Sequence, residues 1–286
     1  MRLFVACAVA AAGLAEPQAG VAERVMKLTR ESIWKPAGSI PVQFRTWHPQ
    51  GLVRIADAFF VSSVEVRSRE RGDGVGHLFK IDKTGRLLAD LILGDGPIFH
   101  PGGIDYDGTN IWVPTAEYRP DSRSIVYRVD PGSMKATEVF RFADHLGAIV
   151  HDTSDETLHA VSWGSRRLYA WKVGNERAAP VRTTNQSHYV DYQDCKYVGG
   201  QRMLCTGVTE IRQTPQSPPF RLGGIEIVDL VRGQPVFQVP VLLWTAGGLV
   251  MTQNPVWLEQ TTTGLRGYFM PEDDTSTIYI YDVETN

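Results

Sequence analysis

The sequence predicts an all-β chain folded as a five-bladed β-propeller with four antiparallel strands per blade. Two observations predict it. One short frame recurs through the whole chain, and each copy leads into short alternating strands separated by turn residues. Helix-forming composition is confined to residues 22–32, which would sit outside the ring.

The frame reads Trp47-His48-Pro49-Gln50-Gly51-Leu52, then Phe99-His100-Pro101-Gly102-Gly103-Ile104. It returns as Asp144-His145-Leu146-Gly147-Ala148-Ile149 and as Ser187-His188-Tyr189-Val190-Asp191-Tyr192. A fifth copy, Trp244-Thr245-Ala246-Gly247-Gly248-Leu249, carries Thr where the others carry His. The copies lie roughly 45–55 residues apart, the spacing of propeller blades. Each opens an inner strand. Apolar second strands follow at 59–65, 111–117, 158–163, 203–207 and 268–272. Third strands alternate at 78–82, 126–130, 168–173, 225–229 and 278–282. Four units close with a fourth strand, at 87–93, 135–142, 180–184 and 235–243. The fifth unit lacks one, and residues 39–44 are expected to supply it. Closing the ring this way removes two open sheet edges. Six blades are the alternative, but no residues remain for the extra blade. No linker divides residues 16–286, which read as one domain.

Met1-Arg2 precedes a small apolar run over 3–15, which reads as a secretory signal peptide over 1–15. A buried N-terminal helix is the alternative. The run falls short of the about 20 residues that span a bilayer, and no other segment is long and apolar enough. A secreted protein with no membrane span is therefore expected. Cys7 would leave with the leader. Cys195 and Cys205 then form an even pair, placed opposite each other by a three-residue turn centred on Gly200, so a disulfide is preferred over two buried thiols. Asn185-Gln186-Ser187 is a glycosylation sequon. With 29 Lys and Arg against 32 Asp and Glu, the net charge of -3 lacks the footprint of a nucleic-acid binder.

Residues that open the inner strands ring one mouth of a propeller channel. His48, His100, His145 and His188 are expected to converge there, with Thr245 completing the ring. The bland alternative is that each His caps its own strand. Four convergent imidazoles would suit Fe, Zn or Cu, with Glu65, Glu117, Asp144 and Asp191 as carboxylates to orient them. Without metal, and with no cofactor required, they would shuttle protons or hold an anionic oxygen. Asp105 and Tyr106, and His151 and Asp152, lie further along their inner strands and are expected to point into the channel, with turn capping as the equal alternative for Asp152. Trp47, Phe99 and Trp244, with Trp163, would make an aromatic rim for a small-molecule substrate, although packing between blades is the commoner use of such residues. His77 and His159 read as peripheral. The loops 67–76 and 210–222 should rise over the His face.

With its leader, its sequon, five repeats and the stretch from His100 to Pro114, the chain resembles the secreted propellers around strictosidine synthase and the lactonase group. More narrowly it is similar to the glycosylated fungal propellers of tropolone–sesquiterpenoid pathways, which act as hetero-Diels–Alderases. The resemblance implies a pocket that joins an o-quinone methide to a terpenoid alkene. In that scheme a His or Asp assists loss of water, and His or Tyr donors hold the tropolone oxygens. Lactonases typically bind calcium through Glu, Asn and Asp on inner strands. This chain has His there, which counts against a lactonase. A metal-dependent hydrolase or oxygenase using the four His is the second reading, and a non-catalytic binding propeller the third.

Overall fold

The structure, a computed structural model, describes residues 20–285. The expected leader at 1–15 lies outside them. Five antiparallel sheets of four strands surround one axis, as the repeat predicts. Blade one runs through His48–Ile55, Ala58–Ser68, Asp73–Asp82 and Leu87–Leu93. Blade two has an inner strand in two pieces, Ile98–Pro101 and Asp105–Tyr106, followed by Ile111–Glu117, Ser124–Asp130 and Lys135–Phe142. Blade three comprises Leu146–Asp152, Thr157–Ser162, Arg167–Lys172 and Val181–Thr184. Blade four comprises Asp191–Tyr197, Arg202–Ile211, Phe220–Asp229 and Gln234–Val241.

Blade five holds Val256–Gln260, Gly264–Phe269 and Thr277–Glu284, and its outer strand is Lys35–Pro41 from the other end of the chain. Ile40 lies opposite Ile278, so the ring closes as expected, with a strand that begins four residues earlier than the sequence suggests. The helix is shorter than expected, Val21–Val25. Its buried Val21, Ala22 and Val25 join Leu28 and Trp34 over the apolar residues shared by blades four and five. Among the described residues no helix is long and apolar enough to cross a membrane.

Cys195 and Cys205 face each other on neighbouring strands and are bonded. The turn is the expected three residues: Val198 N–H donates to Arg202 O, and Gly199, Gly200 and Gln201 all have positive φ. A disulfide is compatible with an oxidising compartment. Asn185 is buried, and its Nδ2 donates to Ser165 O at 2.9 Å. The nitrogen that a glycan would take is thus turned into the protein.

The inner strands meet so tightly that side chains are excluded from two positions. A Cβ on Gly51 would lie 2.6 Å from Ile104 N, and one on Gly103 would lie 2.8 Å from Asp194 Cα. Gly103 N–H donates to Gly147 O at 2.8 Å, a parallel bridge between blades two and three. Into this narrow axis the fourth blade inserts Asp194 and Lys196, both almost wholly buried. Asp194 accepts Leu52 N–H at 3.0 Å from blade one and Ile104 N–H at 3.1 Å from blade two. Lys196 Nζ bonds Asp194 and donates to Ile104 O at 2.6 Å. Asp105, 1% exposed, accepts His151 N–H at 3.2 Å from blade three. One buried polar knot therefore ties four inner strands. Burial pushes the Asp105 carboxyl up to about 7, against the pull of Lys196.

Two outcomes follow from this axis. Gly103→Ala should lower the melting temperature, with a cost of about 1–3 kcal/mol for overpacking; an unchanged thermal melt would contradict the close approach. Asp105 holds its proton in the folded state to about pH 7, whereas the unfolded chain releases it near pH 4. Stability is therefore lost as pH rises through that window. Asp105→Asn should gain melting temperature relative to the parent between pH 5 and pH 8, and parallel pH profiles would refute the assignment.

Candidate functional site

At one mouth of the axis lies a cavity of about 330 Å³. Blade one contributes His48 and Gln50, blade two His100 and Tyr118, and blade three His145 and Trp163. Blade four adds Asp191 and Gln193, and blade five Gln253 and Asn254. Three of the four expected histidines thus meet in one pocket, and Trp163 joins them. His188 does not. It is exposed, and its Nδ1 lies 2.8 Å from Arg166 Nη1. The register explains the slip. Each inner strand of blades one, three and four carries a bulge, at Gln50, Gly147 and Gln193. His48 and His145 stand two residues before their bulges, and in blade four that place belongs to Asp191. Thr245 is displaced further. Its segment is a surface turn closed by Thr245 N–H to Leu249 O at 2.8 Å, and the inner strand starts only at Val256. Gln253 and Asn254 occupy the fifth sector instead.

The aromatic rim is also rearranged. Trp47 has φ 58° and stacks under Arg45 at 3.9 Å, beside a neighbouring groove that it shares with Glu65. Phe99 is buried against Gly74 and Gly76 of the blade-one hairpin, and Trp244 lies outward, 37% exposed. Asp105 sits in the axial knot, and Tyr106 donates its hydroxyl to Gly108 O at 2.7 Å, so neither lines the cavity. Glu65 pairs with Arg67, and the Glu117 carboxylate pairs with Arg119 and Arg123. Among the described residues no three or more His, Cys, Asp or Glu side chains stand close enough to hold a metal ion. The hairpin at 67–76 does rise over the pocket. From its tip Arg69 lies 4.3 Å over the Tyr118 ring and 5.5 Å from Trp163.

Each histidine has a distinct environment. His48 Nδ1 lies 2.8 Å from Asp273 Oδ1, and Asn254 Nδ2 donates to the same oxygen at 3.1 Å. Burial resists ionisation of Asp273, but the His48 contact outweighs it and keeps the carboxyl below its ordinary range. His145 Nδ1 lies 2.9 Å from the carbonyl of Glu117. A carbonyl only accepts, so that nitrogen carries the hydrogen and Nε2 the lone pair. Burial pushes His145 down to about 4, so the ring is neutral. His100, 5% exposed, stacks on Tyr118 at 4.2 Å, with its centroid 5.6 Å from that of His145. Neither of its nitrogens has a hydrogen-bond partner. Burial, reinforced by His145 and His48, holds it well below its ordinary range.

Asp273, Tyr118, Gln253 and Asn254 escaped the sequence reading. Tyr118 directly follows Glu117 at the end of the second strand of blade two, and Asp273 follows Glu272 in the connection between the second and third strands of blade five. In both blades the functional residue stands one position past the glutamate.

Solved structures of similar shape include a hypothetical protein from Leishmania major (TM-score 0.56, 9% identity, covering 87% of this chain and 90% of that one). A tail fibre of Staphylococcus aureus phage P68 gives a TM-score of 0.54 at 10% identity over 92% of this chain, which spans 55% of the tail fibre's length. A luciferin-regenerating enzyme gives 0.50 at 8% identity over 90% of this chain and 98% of its own. At such identities the likeness is one of fold. No curated protein matches the sequence. A family model does, over residues 5–285, and the chain belongs to the Family of unknown function (DUF6454).

Proposed function

We propose that the protein is an exported enzyme that moves protons on one small oxygenated substrate, with His48 as the base and His145 as its partner. The observation that supports this reading is the pairing of Asp273 with His48 on the wall of a cavity that His145 and His100 also line. With Nδ1 turned to the carboxylate, the neutral ring of His48 carries its lone pair on Nε2, and Asp273 stabilises the imidazolium that forms when a proton arrives. His145 Nε2 accepts a substrate hydrogen and fixes its direction. General acid–base assistance of this kind is worth about 10²–10⁴ in rate. An exported location rests on the leader reading and suits the disulfide.

The cycloaddition expectation narrows accordingly. The lining is mostly His, Gln, Asn and Asp, with aromatic carbon from Tyr118 and Trp163. That favours one hydroxylated partner over two apolar ones. It supports the proton-assisted loss of water more than the joining of a terpenoid alkene. Fe, Zn or Cu on the imidazoles is the competing chemistry, and stoichiometric metal in the purified protein would favour it.

The test is incubation of the protein in D₂O with a panel of hydroxylated carbonyl compounds. Mass spectrometry then reads carbon-bound deuterium or loss of water. His48→Gln and Asp273→Asn should each slow such a reaction by about 10²-fold or more, with folds verified by thermal melting. Parental rates in both variants, or no exchange and no dehydration across the panel, would sink the proposal.

A further inference from the structure

The hydrogen bonds of the pocket wall fix which atoms a ligand meets. Four side chains from three blades spend donors on partners that can only accept. His48 turns Nδ1 to the Asp273 carboxylate, and His145 turns Nδ1 to the Glu117 carbonyl. Gln253 Nε2 donates to Pro271 O at 2.9 Å. Asn254 Nδ2 donates to Pro271 O at 3.0 Å and to Asp273 at 3.1 Å. Because carbonyls and carboxylates have no hydrogen to offer, these orientations are unambiguous. These four side chains leave mainly lone pairs: the two amide oxygens, Nε2 of His145 and, in the neutral ring, Nε2 of His48, with the second amide hydrogen of Gln253 still free to donate. Gln253 Oε1 is buried without a hydrogen-bond partner, a condition that costs free energy until a donor fills it. His100, with both nitrogens also unpartnered, offers one further lone pair and one N–H in either tautomer.

Tyr118, Trp163 and Gln193 add donors to the same wall, so it suits groups that both donate and accept, whereas an anion, with lone pairs alone, leaves these acceptors unfilled. The wall gives an ammonium group little, because Asp273 and Asp191 are already engaged by His48 and Arg166, and Arg69 adds positive charge at the rim. We infer that the pocket takes a neutral, hydroxyl-rich small molecule of polyol or sugar type, whose O–H groups donate to His48, His145, Gln253 and Asn254. This rests on the proposed site but not on its chemistry. A hydroxyl that donates to His48 is also the group best placed to lose its proton.

The probes are myo-inositol and methyl β-glucoside, their fully O-methylated ethers, and gluconate, titrated against the whole protein by calorimetry and by tryptophan fluorescence. The hydroxylated probes should bind saturably in the millimolar range. Affinity should fall about tenfold for each hydrogen bond lost on O-methylation, and gluconate should bind more weakly than either neutral probe. Gln253→Met should weaken binding of the hydroxylated probes about tenfold while leaving the methyl ethers unaffected, with its melting curve confirming the fold. Ethers that bind as well as the parents, preference for gluconate, or no saturable binding of either polyol would each overturn the inference. Binding that persists in His48→Gln without any turnover in the parent would instead remove the proton-transfer reading and leave this one standing.

Discussion

The ring depends on a charge pair at its axis. Asp194 and Lys196 lie on one strand of blade four, yet they bond backbone groups of blades one and two. Two ions taken out of water are costly, and the pair holds only because every oxygen and proton has a partner. That demand explains why the neighbouring strands carry Gly51 and Gly103, since any Cβ would displace the carboxylate or the amides that hold it. Removing one member would strand the other, which costs about 3–5 kcal/mol. Apolar packing between blades is non-directional and tolerates repacking. The polar knot is directional, and it sets the register in which inner strands meet.

That register decides what stands at the mouth above. With the strands pinned at Asp194 and Gly103, the residues a few positions earlier, among them His48, His100, His145 and Asp191, come together around one cavity. Their chemistry is then set by what lies behind them. A carboxylate behind His48 and a carbonyl behind His145 fix both tautomers, while His100 is held by stacking alone. Three like side chains thus have three different roles available. The pairing of each imidazole, rather than the ring as such, carries the functional reading.

The blade count, the strand order, the closure from the N-terminal side and the disulfide were legible in the sequence, because period-two alternation and turn residues repeat with the unit. Placement within the mouth was less legible. A histidine in a recurring frame marked the pocket correctly in three blades, where frame and strand start coincide. In blade four a shift of three residues put Asp191 in the position, and no local signal distinguishes His188 from it. In blade five the Gly-Gly-Leu of the frame belongs to a turn, since the same residues serve tight turns and tight strand contacts alike. Asp273 and Tyr118 were missed because they act from the connections that follow second strands, brought to the mouth by tertiary pairing. Lys196 was not singled out either: its place in the middle of an inner strand shows only once Asp191–Tyr197 is paired.

The seam in blade five has its own consequence. The strand holding Ile40 finds its partner, the strand holding Ile278, only after the four intervening blades have been made. Until then the earliest segment has no sheet to join, and four blades stand in an open arc with unpaired margins at both ends. Assembly of this ring is therefore completed by a segment made before its first blade. During synthesis its most vulnerable interval, to misassociation with another nascent copy, is the wait for that last latch.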